Sequence, residues 1–230
     1  MWRLLPFQWV VYYFLFGLVL VFLAMWWAQG KPHYLKKGGK GLFKLFGTLW
    51  TTVTVFTIIT VLVGKFLWSP LASTRWFSDA VFADVSGDWE GLLQVAEAGQ
   101  AAGTRAPGDR VDVHIDQDFF ELEITFTSRT RHSDSRTIAV WPERDPATRK
   151  QRLWYVYEAR VQGPLPGDPA VYQGAGFIDV RKTRGGDTLD GVYWTNRNWQ
   201  RNAQSAGSLR LRHAGSRQPF EPLPASSAPM

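Results

Sequence analysis

The sequence predicts a helical hairpin in a membrane followed by a small all-β domain, an eight-stranded antiparallel β-barrel. Two uncharged apolar segments, residues 9–28 and 45–63, lie near the start of the 230-residue chain. Residues 85–213 instead contain short β-forming runs separated by Gly, Pro, Asp and Asn, which is typical of a small antiparallel domain. An open β-sandwich is the alternative arrangement of the same strands.

The two apolar segments have the length that a lipid bilayer requires. The first contains 20 residues, and a helix of about 20 residues extends about 30 Å, the thickness of the hydrocarbon core. A second apolar segment follows directly, which argues against a cleaved signal peptide, so we expect a two-pass transmembrane region over residues 1–68. Tryptophan and tyrosine, which are typical of membrane interfaces, occur near the segment ends: Trp9, Tyr12, Tyr13, Trp26, Trp27, Trp50 and Trp68.

Basic residues are concentrated beside the membrane segments. The predicted loop at residues 29–44 carries no acidic residue and five lysines: Lys31, Lys36, Lys37, Lys40 and Lys44. Residues 85–213 contain 17 Lys and Arg against 17 Asp and Glu, so the β domain contributes nothing to the net charge of +6. A DNA- or RNA-binding surface would need clustered positive charge on that domain. We therefore expect membrane lipid, and no nucleic acid, as the partner of the basic residues.

The β domain follows a predicted connector at residues 69–84, which opens with a turn-favouring Ser-Pro pair. Val111, Val113 and Ile115 alternate with polar residues, the period of a half-buried strand. Eight strands can close a barrel wide enough for side chains or one small ligand. Residues 214–230, rich in Pro and Ser, form a predicted disordered tail. The predicted strands span residues 89–94, 111–116, 120–127, 136–141, 152–160, 172–181, 188–195 and 207–212.

Trp89 lies at the start of the first predicted strand, two residues after Gly87. This short Gly-x-Trp segment is similar to the opening of lipocalins, in which the indole closes the bottom of the barrel. We therefore expect a structural role for Trp89, with Arg210 or Arg212 of the last strand covering its ring.

Nothing in the sequence indicates catalysis or metal binding. The chain has no cysteine, and its four histidines lie far apart without ligand spacing. His132, Ser133 and Asp134 are adjacent, but neighbouring residues of a strand point to opposite faces, whereas the members of a catalytic triad must converge in space. We expect a protein that is not an enzyme and that has no metal site.

Residue types suited to ligand binding are concentrated in three stretches, residues 126–135, 152–157 and 191–199. These stretches combine arginines, tyrosines, tryptophans and hydroxyl side chains. Arginine forks bind phosphate, aromatic faces stack on bases and small polar groups reach base edges. The alternative is that the aromatic residues fill the barrel and the Ser and Thr residues cover exposed strand faces. Composition and periodicity leave both interpretations open.

The ordered set of features resembles the two-transmembrane, β-strand-rich effectors of bacterial CBASS-type anti-phage defence. The resemblance covers residues 5–213 almost entirely and rests on two apolar segments followed by a series of short motifs. These are Gly87-Asp88-Trp89-Glu90-Gly91, Ile115-x-Gln117, a Thr/Ser-rich strand at 127–135, Leu153-x-Tyr155-x-Tyr157, Tyr172-x-Gly174-x-Gly176, Leu189-x-Gly191-x-Tyr193-Trp194-Thr195-x-Arg197 and Gly207-x-Leu209.

The resemblance implies that the β-barrel binds a cyclic dinucleotide made by a partner nucleotidyltransferase or cyclase. It implies no other cofactor. Ligand-controlled homo-oligomerisation would then let the membrane segments disrupt the inner membrane, and the sequence does not give the sign of this control. The resemblance favours a binding role for Tyr155, Tyr157 and Tyr193 in base stacking. Thr127 and Thr195 would contact base edges or phosphate oxygens, and Arg129, Arg131 and Arg197 would contact phosphate. Arg129 and Arg131 are chosen on chemistry alone.

The sequence leaves two further functions open, a membrane-tethered lipocalin-like carrier of an apolar ligand and a structural envelope protein. The expected location is the bacterial inner membrane with two passes. The positive-inside rule places the lysine-rich loop in the cytoplasm and therefore the β domain outside it. A receptor for a nucleotide made in the cytoplasm should face the cytoplasm, and we favour that orientation.

Overall fold

The computed structural model describes residues 7–28, 39–96, 108–129, 133–164, 166–181, 187–199 and 205–214. Within these ranges, four helices precede eight strands. The helices are α1 Phe7–Ala28, α2 Gly39–Phe66, α3 Trp68–Ala72 and α4 Arg75–Ala80. The strands are β1 Gly87–Ala96, β2 Asp109–Gln117, β3 Leu122–Ser128, β4 Ser133–Arg144, β5 Gln151–Val161, β6 Val171–Arg181, β7 Thr188–Thr195 and β8 Ala206–His213.

Helices α1 and α2 pack against each other. The Phe56 ring fills the notch at Gly17, where an added Cβ would lie 2.3 Å from the ring, and it contacts Phe14 edge-on at 4.9 Å between centroids. The Thr52 hydroxyl lies 3.4 Å from the sulfur of Met25. A small residue facing a large one lets two apolar helices approach closely.

Among the residues that the structure describes, one helical stretch, Phe46–Phe66, is long and apolar enough to cross a membrane by length and composition. The corresponding stretch of α1, Tyr12–Trp27, is shorter. Helix α2 already begins at Gly39, inside the predicted loop, so Lys40 and Lys44 lie on its first turns rather than in a loop. The remaining predicted loop residues, 29–38, lie outside the described residues.

The eight strands form a closed antiparallel barrel in sequence order. Closure occurs between the first and last strands, where Trp89 pairs with His213 and Ala96 with Ala206. This confirms the predicted barrel and excludes the β-sandwich. Strand β3 begins at Leu122 rather than at residue 120, because the Asp118 carboxylate accepts hydrogen bonds from the backbone N–H groups of Phe120 and Glu121 and holds a turn there.

Alternation along the strands turns one set of side chains into the barrel, and this interior consists of a filled half and a more polar half along the barrel axis. The half nearest α2 is packed with aliphatic side chains, and each of Ile115, Leu153, Ile178, Leu189 and Leu211 is at most 1% exposed. Such packing leaves few voids. The opposite half holds tyrosines and hydroxyl residues instead. This division positions the candidate site at the end of the barrel that is remote from the helices.

The end of the barrel nearest α2 is closed by the predicted connector. Two buried glutamines hold it in place. Gln151 accepts from the Ala83 N–H at 3.0 Å and donates to the Ser78 carbonyl at 2.7 Å. Gln117 accepts from the Val85 N–H at 2.9 Å and donates to the Ala83 carbonyl at 3.1 Å. The connector is therefore bonded to the barrel as part of its base.

Trp89 is 2% exposed in this base and donates its indole N–H to the Val85 carbonyl at 2.9 Å. The ring that covers it belongs to His213, at 4.3 Å between centroids, so the expectation of Arg210 or Arg212 is wrong. The reason is strand parity. Odd-numbered residues of β8 face inward, whereas Arg210 and Arg212 form ion pairs outside with Asp190 and Glu90.

Candidate functional site

A cavity of about 70 Å³ lies inside the barrel at the end remote from α2. Its position follows from the strand ends that line it: Asp109 begins β2, Ser128 ends β3, Ser133 begins β4 and Thr195 ends β7. We call this end of the barrel the mouth. A volume of this size holds no more than a few water molecules, so the cavity is a polar recess in the mouth rather than a complete pocket for a large ligand.

Three aromatic rings form the floor of the recess. Tyr155 and Tyr157 lie 5.8 Å apart between centroids, and Phe126 lies 5.6 Å from the first and 6.3 Å from the second. Glycines on β6 make room for these rings, because an added Cβ at Gly174 would lie 2.4 Å from Tyr157 and one at Gly176 would lie 2.7 Å from Tyr155. Aromatic residues and glycines on neighbouring strands thus form one packing unit.

The floor tyrosines are neutral phenols. Burial raises the pKa of Tyr155 above its ordinary value, and the neighbouring Tyr193 raises it further. Burial likewise raises the pKa of Tyr157, with smaller contributions from the other tyrosines. A desolvated phenol resists ionisation. Both side chains therefore keep their O–H groups as hydrogen-bond donors throughout the physiological pH range.

Hydroxyl and carboxylate groups line the wall above the rings. The Ser128 hydroxyl donates to Asp109 Oδ2 at 2.7 Å, and Asp109 is 8% exposed. Across the mouth, the hydroxyls of Thr195 and Ser205 are 2.8 Å apart. The wall therefore offers donors and acceptors at close spacing around the rim of the aromatic floor.

Arg197 lies at the rim and is held by Asp168. Its Nη2 is 2.5 Å from Asp168 Oδ2, and both side chains are only 19% exposed. Asn198 donates from Nδ2 to the other carboxylate oxygen of Asp168 at 2.7 Å, and the Arg197 guanidinium lies 5.5 Å from the centre of the Tyr172 ring. This ion pair joins the β5–β6 loop to the neighbouring β7–β8 loop along one side of the rim.

A larger hollow of about 590 Å³ lies on the other side of the same ion pair. Asp168 and Tyr172 line it, with Asn196 and Asn198 beside them and Trp199, which is 58% exposed. Tyr172 also lines the inner recess, which includes Arg197. The Arg197–Asp168 pair therefore separates two spaces that share one tyrosine. The larger space alone is within the size range of small-molecule sites.

Five of the eight residues predicted from the sequence meet at this recess: Tyr155, Tyr157, Tyr193, Thr195 and Arg197. Two do not. Phe126 and Ser128 face inward, so Thr127 and Arg129, which alternate with them, face outward and are exposed. The Arg129 guanidinium forms an ion pair with Asp112 on the outer wall. Arg131 lies outside the described residues.

Three groups at the site were missed by the sequence interpretation. Asp109 shares the inward parity of Val111 and Val113, and that period could have identified it. Tyr172 shares the parity of Gly174, which is the same kind of signal. Asp168 had no such signal, because it belongs to a loop and meets Arg197 only through the tertiary fold.

Comparison with protein families identifies no family model that matches the chain. CD-NTase-associated protein 15 of Escherichia albertii is similar to it, with 25% identity over 163 residues. The similarity covers 70% of this chain and 77% of that protein.

Proposed function

We propose that this protein is a membrane-anchored effector of bacterial anti-phage defence, of the CBASS type, whose barrel binds a cyclic dinucleotide. The similarity to a CD-NTase-associated protein supports the connection with a nucleotidyltransferase. The apolar stretch of α2 supports attachment to a membrane. The partner enzyme supplies the ligand, and the protein itself carries out no reaction.

The observation that carries the proposal is the composition of the mouth. Tyr155, Tyr157 and Tyr193 provide phenol groups at the floor, Thr195 provides a hydroxyl, and Arg197 provides a guanidinium within the same recess. Tyr172 and Trp199 provide ring faces at the rim. Stacking on aromatic rings contributes about 1–3 kcal/mol per base in nucleic-acid binding. An arginine fork matches phosphate oxygens. A cyclic dinucleotide contains both kinds of group in one compact ligand.

The ligand would be seated across the rim rather than wholly inside the recess. A cyclic dinucleotide is much larger than about 70 Å³, but the adjoining hollow is about 590 Å³. Transfer of Arg197 from Asp168 to a ligand phosphate would join the two spaces around Tyr172. Trp199 at the far side of the hollow would then offer a second stacking surface.

Ligand binding would control self-association and, through it, the action of the helical hairpin on the inner membrane. In this proposal both apolar helices lie in the membrane, in a homo-oligomer, and the β domain faces the cytoplasm where the ligand is made. Both signs of control are compatible with the site. A bound ligand can draw copies together, or it can restrain an effector that acts when the ligand is lost.

The test is ligand binding by the full chain in detergent micelles, measured by calorimetry with a panel of purine and pyrimidine cyclic dinucleotides. We expect one of them to bind and Arg197→Ala to weaken its affinity about ten- to a hundred-fold. The ligand loses a charged hydrogen-bonded contact of about 1.5–3 kcal/mol, and its phosphate meets the Asp168 carboxylate without the compensating guanidinium. Arg136→Ala is the matched control, because Arg136 pairs with Glu123 on the exposed outer wall.

Unchanged affinity in Arg197→Ala would place the site elsewhere. Absence of binding by every cyclic dinucleotide would contradict the proposal. Binding of fatty acids instead would favour the lipocalin-like carrier, although the aliphatic half of the barrel is already filled by side chains.

A further inference from the structure

The end of α2 is in direct contact with the base of the barrel. The Phe119 backbone N–H donates to the Gly64 carbonyl at 3.2 Å. The Phe120 ring packs on Gly64 so closely that an added Cβ would lie 2.3 Å from it. Gly64 belongs to the apolar stretch Phe46–Phe66. The β2–β3 turn therefore lies beside the last turn of the helix that the membrane would contain.

A continuous series of aromatic rings extends from this turn under the barrel. Its centre is Trp68, which is 2% exposed and lies 5.9 Å from Phe119 on one side and 5.6 Å from Phe77 on the other. The series ends in two exposed rings. Phe120 lies 5.4 Å from Phe119 and Trp76 lies 6.3 Å from Phe77.

The exposed apolar side chains at this base form what we call the basal collar: Leu67, Leu71, Trp76 and Phe120, which are 49%, 39%, 78% and 38% exposed. The collar cannot turn inward, because the centre of the ring series is packed and the connector is hydrogen-bonded to the barrel through Gln117 and Gln151. Large apolar groups held on a surface indicate an interaction site.

The occupant follows from continuity with α2. Residues 46–63 of α2 form about 27 Å of helix, close to the hydrocarbon thickness of about 30 Å. The collar begins within the next turn of the chain, which is the depth at which tryptophan and tyrosine concentrate in membrane proteins. Asp118 and Glu121 flank the ring of Phe120 in sequence, and their carboxylates must stay hydrated, which limits insertion to the headgroup region.

We propose that the barrel stands directly on the bilayer, with the basal collar inserted in the lipid interface and the mouth turned away from the membrane. The strands place the mouth on the order of 25 Å above the collar, from about 10 residues of tilted strand. A charged, water-soluble ligand then reaches Arg197 from the aqueous phase. This inference rests on the part of the proposed function that places α2 in the membrane.

The chain has no cysteine, so single-cysteine variants can report the depth of each site. Trp76→Cys and Phe120→Cys would carry a nitrobenzoxadiazole label in the full chain, reconstituted in phosphatidylethanolamine–phosphatidylglycerol vesicles. Ile58→Cys in α2 is the control for the membrane span, and Val171→Cys at the mouth is the aqueous control. Thermal unfolding of each labelled variant checks that the barrel is folded.

We expect the labels at residues 58, 76 and 120 to emit at shorter wavelength than the label at 171 and to lose intensity with nitroxide lipids. Those at 76 and 120 should respond most to a headgroup-depth nitroxide. If the label at 58 is embedded in lipid but a label at 76 or 120 emits as in water, insertion of the collar is wrong and the membrane span is not affected. A water-like label at 58 would overturn the membrane span itself. A label at position 76 or 120 could also be protected from aqueous iodide and yet not be quenched by nitroxide lipids. Protein would then cover the collar, and this result would also overturn the inference.

Discussion

Arg197 lies between a carboxylate of its own chain and the space that a ligand phosphate would occupy. Its ion pair with Asp168 is four-fifths buried on both sides, so the charge is already compensated before any ligand arrives. Binding a phosphate then exchanges one anionic partner for another. The net gain in free energy is smaller than the contact itself, because the internal pair must open first.

Removal of the competing charge should therefore strengthen ligand binding. We expect Asp168→Asn to raise the affinity for the cyclic dinucleotide at least about fivefold, since Arg197 no longer has to leave an ion pair that would contribute about 1 kcal/mol even at an exposed site. Calorimetry on the full chain measures the affinity of both proteins for the cyclic dinucleotide. Asp179→Asn is the matched control, because Asp179 pairs with Arg152 on the outer wall. Weaker binding in Asp168→Asn would mean that the pair positions Arg197 for the ligand instead of withholding it.

The buried tyrosines make a separate prediction about alkaline stability. Their folded-state pKa values are raised, whereas in the unfolded chain tyrosine titrates near pH 10. Above about pH 10 the unfolded state loses protons that the folded state keeps, so the free energy of unfolding falls as pH rises. Each such tyrosine contributes about 1.4 kcal/mol per pH unit to this loss.

We therefore expect Tyr157→Phe to have a shallower alkaline loss of stability than the unmodified protein. Denaturant unfolding of the full chain in micelles at several pH values between neutral and strongly alkaline measures the slope. The two proteins should show the same pH dependence below about pH 9, where neither state is ionised at this residue. Parallel slopes above pH 10 would show that Tyr157 ionises in the folded barrel.

Among the elements, the connector is hydrogen-bonded to the barrel through buried side chains. Gln151 bonds both a backbone N–H of Ala83 and the carbonyl of Ser78. Replacing this side chain with a leucine of similar size leaves both groups buried without their partner. We expect Gln151→Leu to lower the free energy of unfolding by about 2–4 kcal/mol, measured by denaturant unfolding of the full chain.

Hydrogen exchange shows whether the loss of stability arises at the connector. The Ala83 amide should exchange faster in Gln151→Leu than in the unmodified protein. Gln173→Leu is the matched control, because Gln173 is exposed on the outer face of β6 and its replacement should change neither measurement. If Gln151→Leu left both unchanged, the connector would be held by its aromatic packing alone.

The threonine side chains of α2 form hydrogen bonds within their own helix. The hydroxyls of Thr51, Thr54, Thr57 and Thr60 donate to backbone carbonyls four residues earlier at 2.8–3.0 Å. Such bonds let hydroxyl residues occupy an apolar helix. Contacts between copies of α2 therefore need not involve these hydroxyl groups, and the close packing of Phe56 against Gly17 is the better-supported contact of the hairpin.

For the whole molecule, orientation across the membrane decides whether direct sensing is possible. We expect a fluorescent protein fused to the C-terminus to fold and fluoresce, which requires the β domain to be cytoplasmic. A fusion to alkaline phosphatase, active only outside the cytoplasm, should be inactive. The reverse result would follow the positive-inside rule for the lysine-rich loop and would contradict direct sensing of a cytoplasmic ligand.

Much of the architecture was predictable because it depends on local periodicity. The alternation around Val111 and Ile115 and the turn residues between strands predict eight strands, and eight strands match a small barrel. The family resemblance favoured Tyr155, Tyr157 and Tyr193 as binding residues, but periodicity left open which face of the strands they occupy, because apolar residues occur on both faces. Closure of β1 on β8 resolved this.

Residue type and spacing along the chain were enough to predict the apolar helices, the strand pattern and the neutral charge balance of residues 85–213. The tertiary structure alone decided that Thr127 and Arg129 face outward, that His213 covers Trp89 and that Asp168 holds Arg197. It also decided that the connector is the base of the barrel. These features depend on strand parity, register and contacts between residues far apart in sequence, which a pattern along one chain does not encode.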